Sequence, residues 1–242
     1  MAATSCQLMT NMSKFKLPHH QAIESALSMF NTDYLLEHNI FFGGGTRIAL
    51  ELNEFRESTD IDFLCADRAS YKAVREQVNN ISLGQLVKQD FEYAREIRAD
   101  RDAVRTIINH GKTKIKLEFV SFDNYDLAGC YQPDLFTVPC IDRTTCYYTK
   151  LLANADRALS PPYKDVFDLV AMFNTWGNIP DKAMQLAEDR YGAVVKKQLI
   201  VTLKDMCANK ARYIKAAADM NIKADFAKLL VDVKAKELLD IF

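Results

Sequence analysis

The stretch FFGGGTRIALELNEFRESTDIDFL, residues 41–64, places the triplet Gly43-Gly44-Gly45 shortly before two aspartates, Asp60 and Asp62, that are separated by one residue. Ile40-Phe41-Phe42 is an apolar run, and Asp60-Ile61-Asp62-Phe63-Leu64 alternates polar with apolar, so both flanks read as strand. On an extended chain, residues i and i+2 share a face at roughly 6.6–7 Å. Asp60 and Asp62 therefore point the same way while Ile61 and Phe63 turn to a core. Two carboxylates held side by side repel unless a cation sits between them. Magnesium suits hard carboxylate oxygens and brings phosphates with it, and manganese is its natural substitute. Three glycines followed by Thr46 offer backbone N–H groups and a helix start, which suits an anionic phosphate. Arg47 and Arg56 add positive charge, and Ser58-Thr59 add hydroxyls just ahead of Asp60. The bland alternative is a flexible turn beside a surface acidic run of Glu51, Glu54, Glu57, Asp60 and Asp62. Against it stands the entropy cost of three glycines, which implies a geometry that side chains would block. A phosphate cradle followed closely by metal carboxylates is the order expected for nucleotidyl transfer.

This segment resembles the signature of the nucleotidyltransferase superfamily that includes DNA polymerase β. Its Gly-Gly-x-Thr start, its Arg-x-Ser-x-Asp-Ile-Asp-Phe end and a later KLLANADR…KDVFDLVAM resemble one branch more closely. That branch is the AbiEii/AbiGii-type toxins of type IV toxin–antitoxin and phage-abortive systems. The resemblance covers roughly residues 20–175.

The superfamily pattern implies a third carboxylate on a neighbouring strand. In Thr113–Phe122, TKIKLEFVSF, Ile115, Leu117 and Phe119 alternate with Lys114, Lys116 and Glu118, giving one charged face. His110-Gly111-Lys112 reads as the hairpin turn joining this strand to 103–109. Glu118 is the expected third member, with Asp123 and Asp126 as weaker substitutes. The competing reading makes Glu118 a surface residue paired with Lys114 or Lys116.

A second constellation runs from Tyr147 to Met172. Leu151, Leu152, Ala155 and Leu159 recur at helical spacing, placing Lys150 and Arg157 on or beside the polar face. Pro161-Pro162 break that helix and Tyr163-Lys164-Asp165 open the next. Asp165 could be a capping residue. Asp168, amid apolar neighbours, needs a partner if buried, and Lys150 or Arg157 could serve. The resemblance implies that Lys150 contacts the triphosphate and that Asp165, with Asp168, lies at the site edge.

Charge is uneven. The net formal charge is −1. From Arg190 to Phe242, 11 Lys/Arg oppose 6 Asp/Glu, whereas the remainder holds 20 against 26. A basic helical tail, with Lys196-Lys197, Lys204, Lys210, Arg212 and Lys215, suits a polyanion, or else is the solvated face of a bundle. Six scattered cysteines without CxxC spacing and four histidines without a ligand pattern speak against zinc and disulfides. No run of 18 apolar residues and no secretory signal layout is present, so a cytoplasmic protein with no membrane partner is expected.

The pattern predicts a frayed 1–12 and one helix over 19–38. Strands follow at 40–42, 60–64, 91–98, 103–109 and 113–121, with helices at 45–53 and 69–80, and helices dominate after 144. The expected fold class is α+β, a mixed-sheet nucleotidyltransferase core flanked by helices, divided as 1–141 and a helical 142–242. The expected activity is magnesium-dependent transfer of NMP from an NTP to an acceptor hydroxyl. Asp60, Asp62 and Glu118 would hold metal, and Gly43, Gly44, Gly45, Thr46 and Ser58 would bind phosphates. Arg47 or Lys150 would neutralise the leaving group. The resemblance implies an RNA acceptor, foremost the tRNA 3′ end, and a cognate antitoxin protein. The rivals are an antibiotic-type nucleotidyltransferase and a non-catalytic nucleotide-binding member.

Overall fold

Residues 13–242 are described by a computed structural model; the frayed segment expected at 1–12 lies outside the described residues. The leading amphipathic pattern forms two helices instead of one, α1 (Pro18–Ser28) and α2 (Thr32–Glu37). Proline at the start of α1 suits its first turn. Asn31 ends the continuity: its side chain accepts the N–H of Tyr34 and caps α2. A helix-period pattern crosses this break unchanged, which is why periodicity alone joined the two.

β1 (Ile40–Gly43), α3 (Gly44–Glu51), β2 (Asp60–Cys65) and α4 (Arg68–Gln77) follow. Next come β3 (Glu92–Ala99), β4 (Ala103–His110) and β5 (Thr113–Ser121), a meander of antiparallel strands. Two short strands that no periodicity marked, β6 (Gly129–Cys130) and β7 (Cys140–Ile141), complete a seven-stranded mixed sheet ordered β3-β4-β5-β2-β1-β7-β6. β2 runs antiparallel to β1 and parallel to β5. The remaining chain is helical: α5 (Arg143–Arg157), α6 (Lys164–Trp176), α7 (Asp181–Tyr191), α8 (Val194–Ala208), α9 (Lys210–Asp219), α10 (Ala224–Leu229) and α11 (Ala235–Leu239). None of the helices among the described residues is long and apolar enough to cross a membrane. The five described cysteines are free thiols.

The period of two sorts residues between two cores. Phe42, Ile61, Phe63, Leu117 and Phe119 pack with α1, α2 and α4, whereas Phe41 and Leu64 pack with α3 and the C-terminal helices. Phe63 and Phe119 are direct cross-strand neighbours and stack at 5.0 Å, which pins the parallel β2–β5 register. That register decides which charged residues meet on the opposite face.

Candidate active site

With Ile61 and Phe63 buried in one core, Asp60 and Asp62 face the other side of the sheet, half-buried. Asp62 stands opposite Gly43 on β1 and opposite Glu118 on β5, and Asp60 stands opposite Lys116. Burial, then the neighbouring Asp60 and Glu118 charges, push the Asp62 carboxyl up to about 6. Glu118 is turned onto basic neighbours, bonding Arg105 Nε at 2.9 Å and pairing with Lys116. The expected third carboxylate is therefore in register, and its expected surface partner Lys116 is engaged as well.

Helix α3 begins where β1 ends. Gly44 has φ +68° and its backbone lies against Asp62, so that a Cβ there would strike the Asp62 carboxylate. A Cβ on Gly45 would strike the Arg56 guanidinium. The Thr46 hydroxyl is buried, 2.8 Å from Ser58 Oγ, and donates to the Asp60 carbonyl at 2.5 Å. Thr46 thus fixes the start of β2, and its proton is committed to the backbone instead of a phosphate.

The loop before Asp60 is held from α1 as well. His20 is fully buried; its Nε2 accepts the Ser58 N–H at 3.1 Å and its Nδ1 lies 3.0 Å from Glu54 Oε1. An acceptor Nε2 requires the Nδ1–H tautomer, and burial keeps the ring neutral by lowering its pKa. Glu54 also accepts the N–H groups of Lys16 and Leu17, and His19 Nε2 lies 3.0 Å from the Thr59 carbonyl. The His19-His20 pair, read from sequence as part of no ligand pattern, lies in the first turn of α1 and grips the loop before Asp60.

Opposite the sheet lies an alternating chain of charges. Arg56 holds Asp168 through two bonds of 2.7 and 3.0 Å. Lys150 bridges Asp168 at 2.6 Å and Asp165 at 3.1 Å, and Arg157 closes on Asp165 with two bonds of 2.9 Å. Burial alone would raise the Asp168 carboxyl, but Arg56 and Lys150 outweigh it and hold it below the ordinary range. The same pairing keeps Lys150 charged against its burial. Asp165, weighed as a capping residue, sits in the first turn of α6 as a buried ion-pair acceptor; Tyr163 is the N-cap.

These elements enclose a cleft of about 450 Å³. Of the expected residues, Gly45, Thr46, Ser58, Asp60, Asp62, Glu118, Lys150 and Asp165 line it. Gly43 and Gly44 shape its floor from behind Asp62, and Asp168 lies beneath it as the anchor of Lys150. Arg47 is not brought to the cleft: the turn of α3 directs it away, where it is buried, pairs with Glu51 and lies 5.5 Å from the Trp176 ring. Asp123 and Asp126 are absent from the lining. Arg56, noted in the sequence only as added positive charge, lines the cleft too, as do Arg157, Ser160 and Lys164, which were not among the expected site residues. Arg157 and Lys164 flank the Pro161-Pro162 break, and that break between two polar helix ends was the available signal.

Among the described residues, no three His, Cys, Asp or Glu side chains converge as a ready metal cage. The donor set nevertheless fits a hard divalent cation. Asp60 and Asp62 offer only carboxylate oxygens, and a bound cation would relieve the burial and the Asp60 and Glu118 repulsion that raise the Asp62 carboxyl. Glu118 would join them once released from Arg105 and Lys116.

A mixed sheet, a glycine-led helix start against paired aspartates and a cationic opposite wall define a nucleotidyltransferase. The model of the family described as "Nucleotidyl transferase AbiEii toxin, Type IV TA system" matches residues 26–239, and the chain belongs to that family. Two solved structures share the fold. One, "Crystal structure of putative nucleotidyltransferase from H. pylori", is 14% identical with TM-score 0.54, covering 95% of this chain and 97% of its own. The other, JHP933 from Helicobacter pylori, is 15% identical with TM-score 0.50, covering 91% and 93%. No curated protein matches the chain.

Proposed function

We propose that this enzyme transfers NMP from an NTP to a hydroxyl of an RNA acceptor, with the tRNA 3′ end foremost, acting as the toxin of a pair with a cognate antitoxin. The observation that carries the chemistry is the row Gly43–Asp62–Glu118 across β1, β2 and β5, set at the mouth of the cationic cleft. The acceptor oxygen forms a bond to the α-phosphorus while the bond to the β-phosphate breaks, and pyrophosphate leaves with the electron pair. Backbone N–H groups at Gly45 and Thr46 sit at the positive end of α3 and suit the departing phosphates. Lys150, held charged by Asp165 and Asp168, offsets their growing negative charge. Arg157 and Lys164 at the cleft edge add to that field. Magnesium, or manganese in its place, would be held by Asp60, Asp62 and a released Glu118, supplying charge neutralisation and a more acidic acceptor hydroxyl. Glu118, once released, would help to take the acceptor proton. The remaining residues hold reactants in line, and positioning and electrostatics supply most of the acceleration.

The test is a transfer assay with each labelled NTP, total bacterial RNA and magnesium, beside an Asp60→Ala/Asp62→Ala control. Label in a tRNA-sized band that requires the aspartates supports the reading and names the nucleotide. Label that appears only on small hydroxylated amines would replace it with the antibiotic-type reading.

A further inference from the structure

The sheet register extends the catalytic row outward. Asp62 faces Glu118, Glu118 faces Arg105 on β4, and Arg105 faces Arg98 on β3. A parallel row runs Asp60, Lys116, Ile107, Arg95. A third runs Lys114, Asn109, Glu92, where Glu92 accepts from Asn109 Nδ2 at 2.8 Å and is the one acid among these rows' β3 and β4 members. Arg95, Arg98, Arg105, Lys114 and Lys116 are all exposed. They share the side of the sheet that carries the aspartates, because Ile115, Leu117 and Phe119 are buried on the other side. Arg98, Arg95 and Lys114 make no ion pair among the described residues. Two arginines directly opposite each other on neighbouring strands repel; Arg105 is offset by Asp100 at 2.6 Å and by Glu118, which leaves Arg98 as the member of the pair with a charge to offer.

The C-terminal basic stretch, read from sequence as a polyanion site or else as the solvated face of a bundle, is different. Of its candidates, Lys210 and Arg212 pair with Asp232 and Asp205, and beyond them Lys234 and Lys236 pair with Glu237 and Asp240, whereas Lys196, Lys197, Lys204 and Lys215 make no ion pair among the described residues. Its lysines also lie outside the residues lining the cleft. Geometry of the displacement points the same way. An in-line attack brings the hydroxyl from the side opposite the leaving pyrophosphate. With Lys150, Arg157 and Lys164 on the helical wall to receive the pyrophosphate, the entering side is the β5–β4–β3 face.

Resting on the nucleotidyl-transfer reading, we propose that this basic face is the docking surface for the phosphodiester backbone of the RNA acceptor, guiding its end along the Arg98–Arg105–Glu118–Asp62 row. Adjacent strands are about 4.8 Å apart, so three steps place Arg98 roughly 14 Å from Asp62. Phosphates on Arg105 and Lys116 take the place of Glu118, while Asp100 keeps its own bond to Arg105. The Glu118 carboxylate is thereby freed to join Asp60 and Asp62 when an acceptor is present.

The test uses the full chain and a fluorescein-labelled single-stranded RNA oligonucleotide, titrated by anisotropy over a salt series. Arg98→Ala/Lys114→Ala is compared with Lys196→Ala/Lys197→Ala, with thermal melting and magnesium-dependent binding of a fluorescent ATP analogue on the same preparations. Loss of two phosphate contacts predicts RNA binding about tenfold weaker and a log–log salt slope shallower by about 1.4 for the sheet variant. Nucleotide binding stays unchanged, and the C-terminal variant behaves as wild type. Arg98→Gln/Lys114→Gln repeats the comparison should the alanine pair melt early. Unchanged RNA affinity in a folded sheet variant overturns the proposal, and if wild type still labels RNA the transfer reading stands without it. A wild type that binds the nucleotide but no RNA overturns the surface and the RNA acceptor together, leaving a protein or small-molecule hydroxyl.

Discussion

Glu118 and Asp62 face each other across the parallel β2–β5 pair, yet Glu118 is bonded to Arg105 and Lys116 while Asp62 has no cationic partner in contact among the described residues. The site therefore holds one satisfied and one frustrated carboxylate on adjacent strands. That asymmetry gives the site its pH behaviour.

Asp62→Asn should abolish transfer, by about 10³-fold or more, and also stabilise the metal-free protein. The folded-state pKa of Asp62 is raised, so its unfavourable ionisation is absent below the ordinary carboxylate pKa. The wild type loses stability as pH climbs through about 6. Thermal unfolding in EDTA should show variant and wild type alike near pH 4 and the variant ahead at pH 8, by at most about 3 kcal/mol. An advantage that is the same at both pH values would show that Asp62 is not the frustrated group.

Gly44→Ala should fold less stably by about 1–3 kcal/mol and lose about 10²-fold in kcat. The cause is double: a positive φ that alanine resists, and a methyl group driven into the Asp62 carboxylate. Steady-state kinetics on the soluble variant checks it, and near-normal kcat would refute the close approach.

Asp168→Asn should cost about 3–5 kcal/mol, since it leaves Arg56 and Lys150 short of a buried partner. Its carboxyl is held below the ordinary range, so its contribution is present at neutral pH and fades as pH falls through that lowered value. Denaturant midpoints for the two proteins should accordingly converge in acid. Midpoints equally far apart at every pH would contradict the ionic account.

Arg47→Met should lower stability by about 1–3 kcal/mol while leaving kcat/KM unchanged, because Arg47 is turned away from the cleft. Lys150→Met should instead cut kcat/KM by about 10²-fold. Comparable losses of kcat/KM in both would mean that Arg47 reaches the nucleotide after all.

Much of the fold was legible because its cause is local. The alternation in 113–121 reproduces β5 residue for residue, and the β2 and α3 boundaries fall within a residue or two of expectation. Asp60, Asp62 and Glu118 share one face of the sheet, as expected, because a period of two leaves no choice of face once Ile61, Phe63, Leu117 and Phe119 are buried. β6 and β7 escaped notice, since two-residue strands carry no periodicity and exist only by pairing with an edge.

The chain by itself determined the chemistry on offer: paired aspartates on a strand, glycines before a helix, and a lysine and two aspartates around a proline break. Tertiary structure alone decided which cations serve the site. Arg47 and Arg56 are nine residues apart in one segment, yet Arg56 crosses 112 residues to Asp168 while Arg47 turns back onto Glu51. His20 likewise found Ser58, 38 residues away. A buried charge takes whatever partner shares its volume, because leaving it unpaired costs several kcal/mol. Which residues share a volume is set when the sheet closes and the helices pack, a matter on which local periodicity is silent.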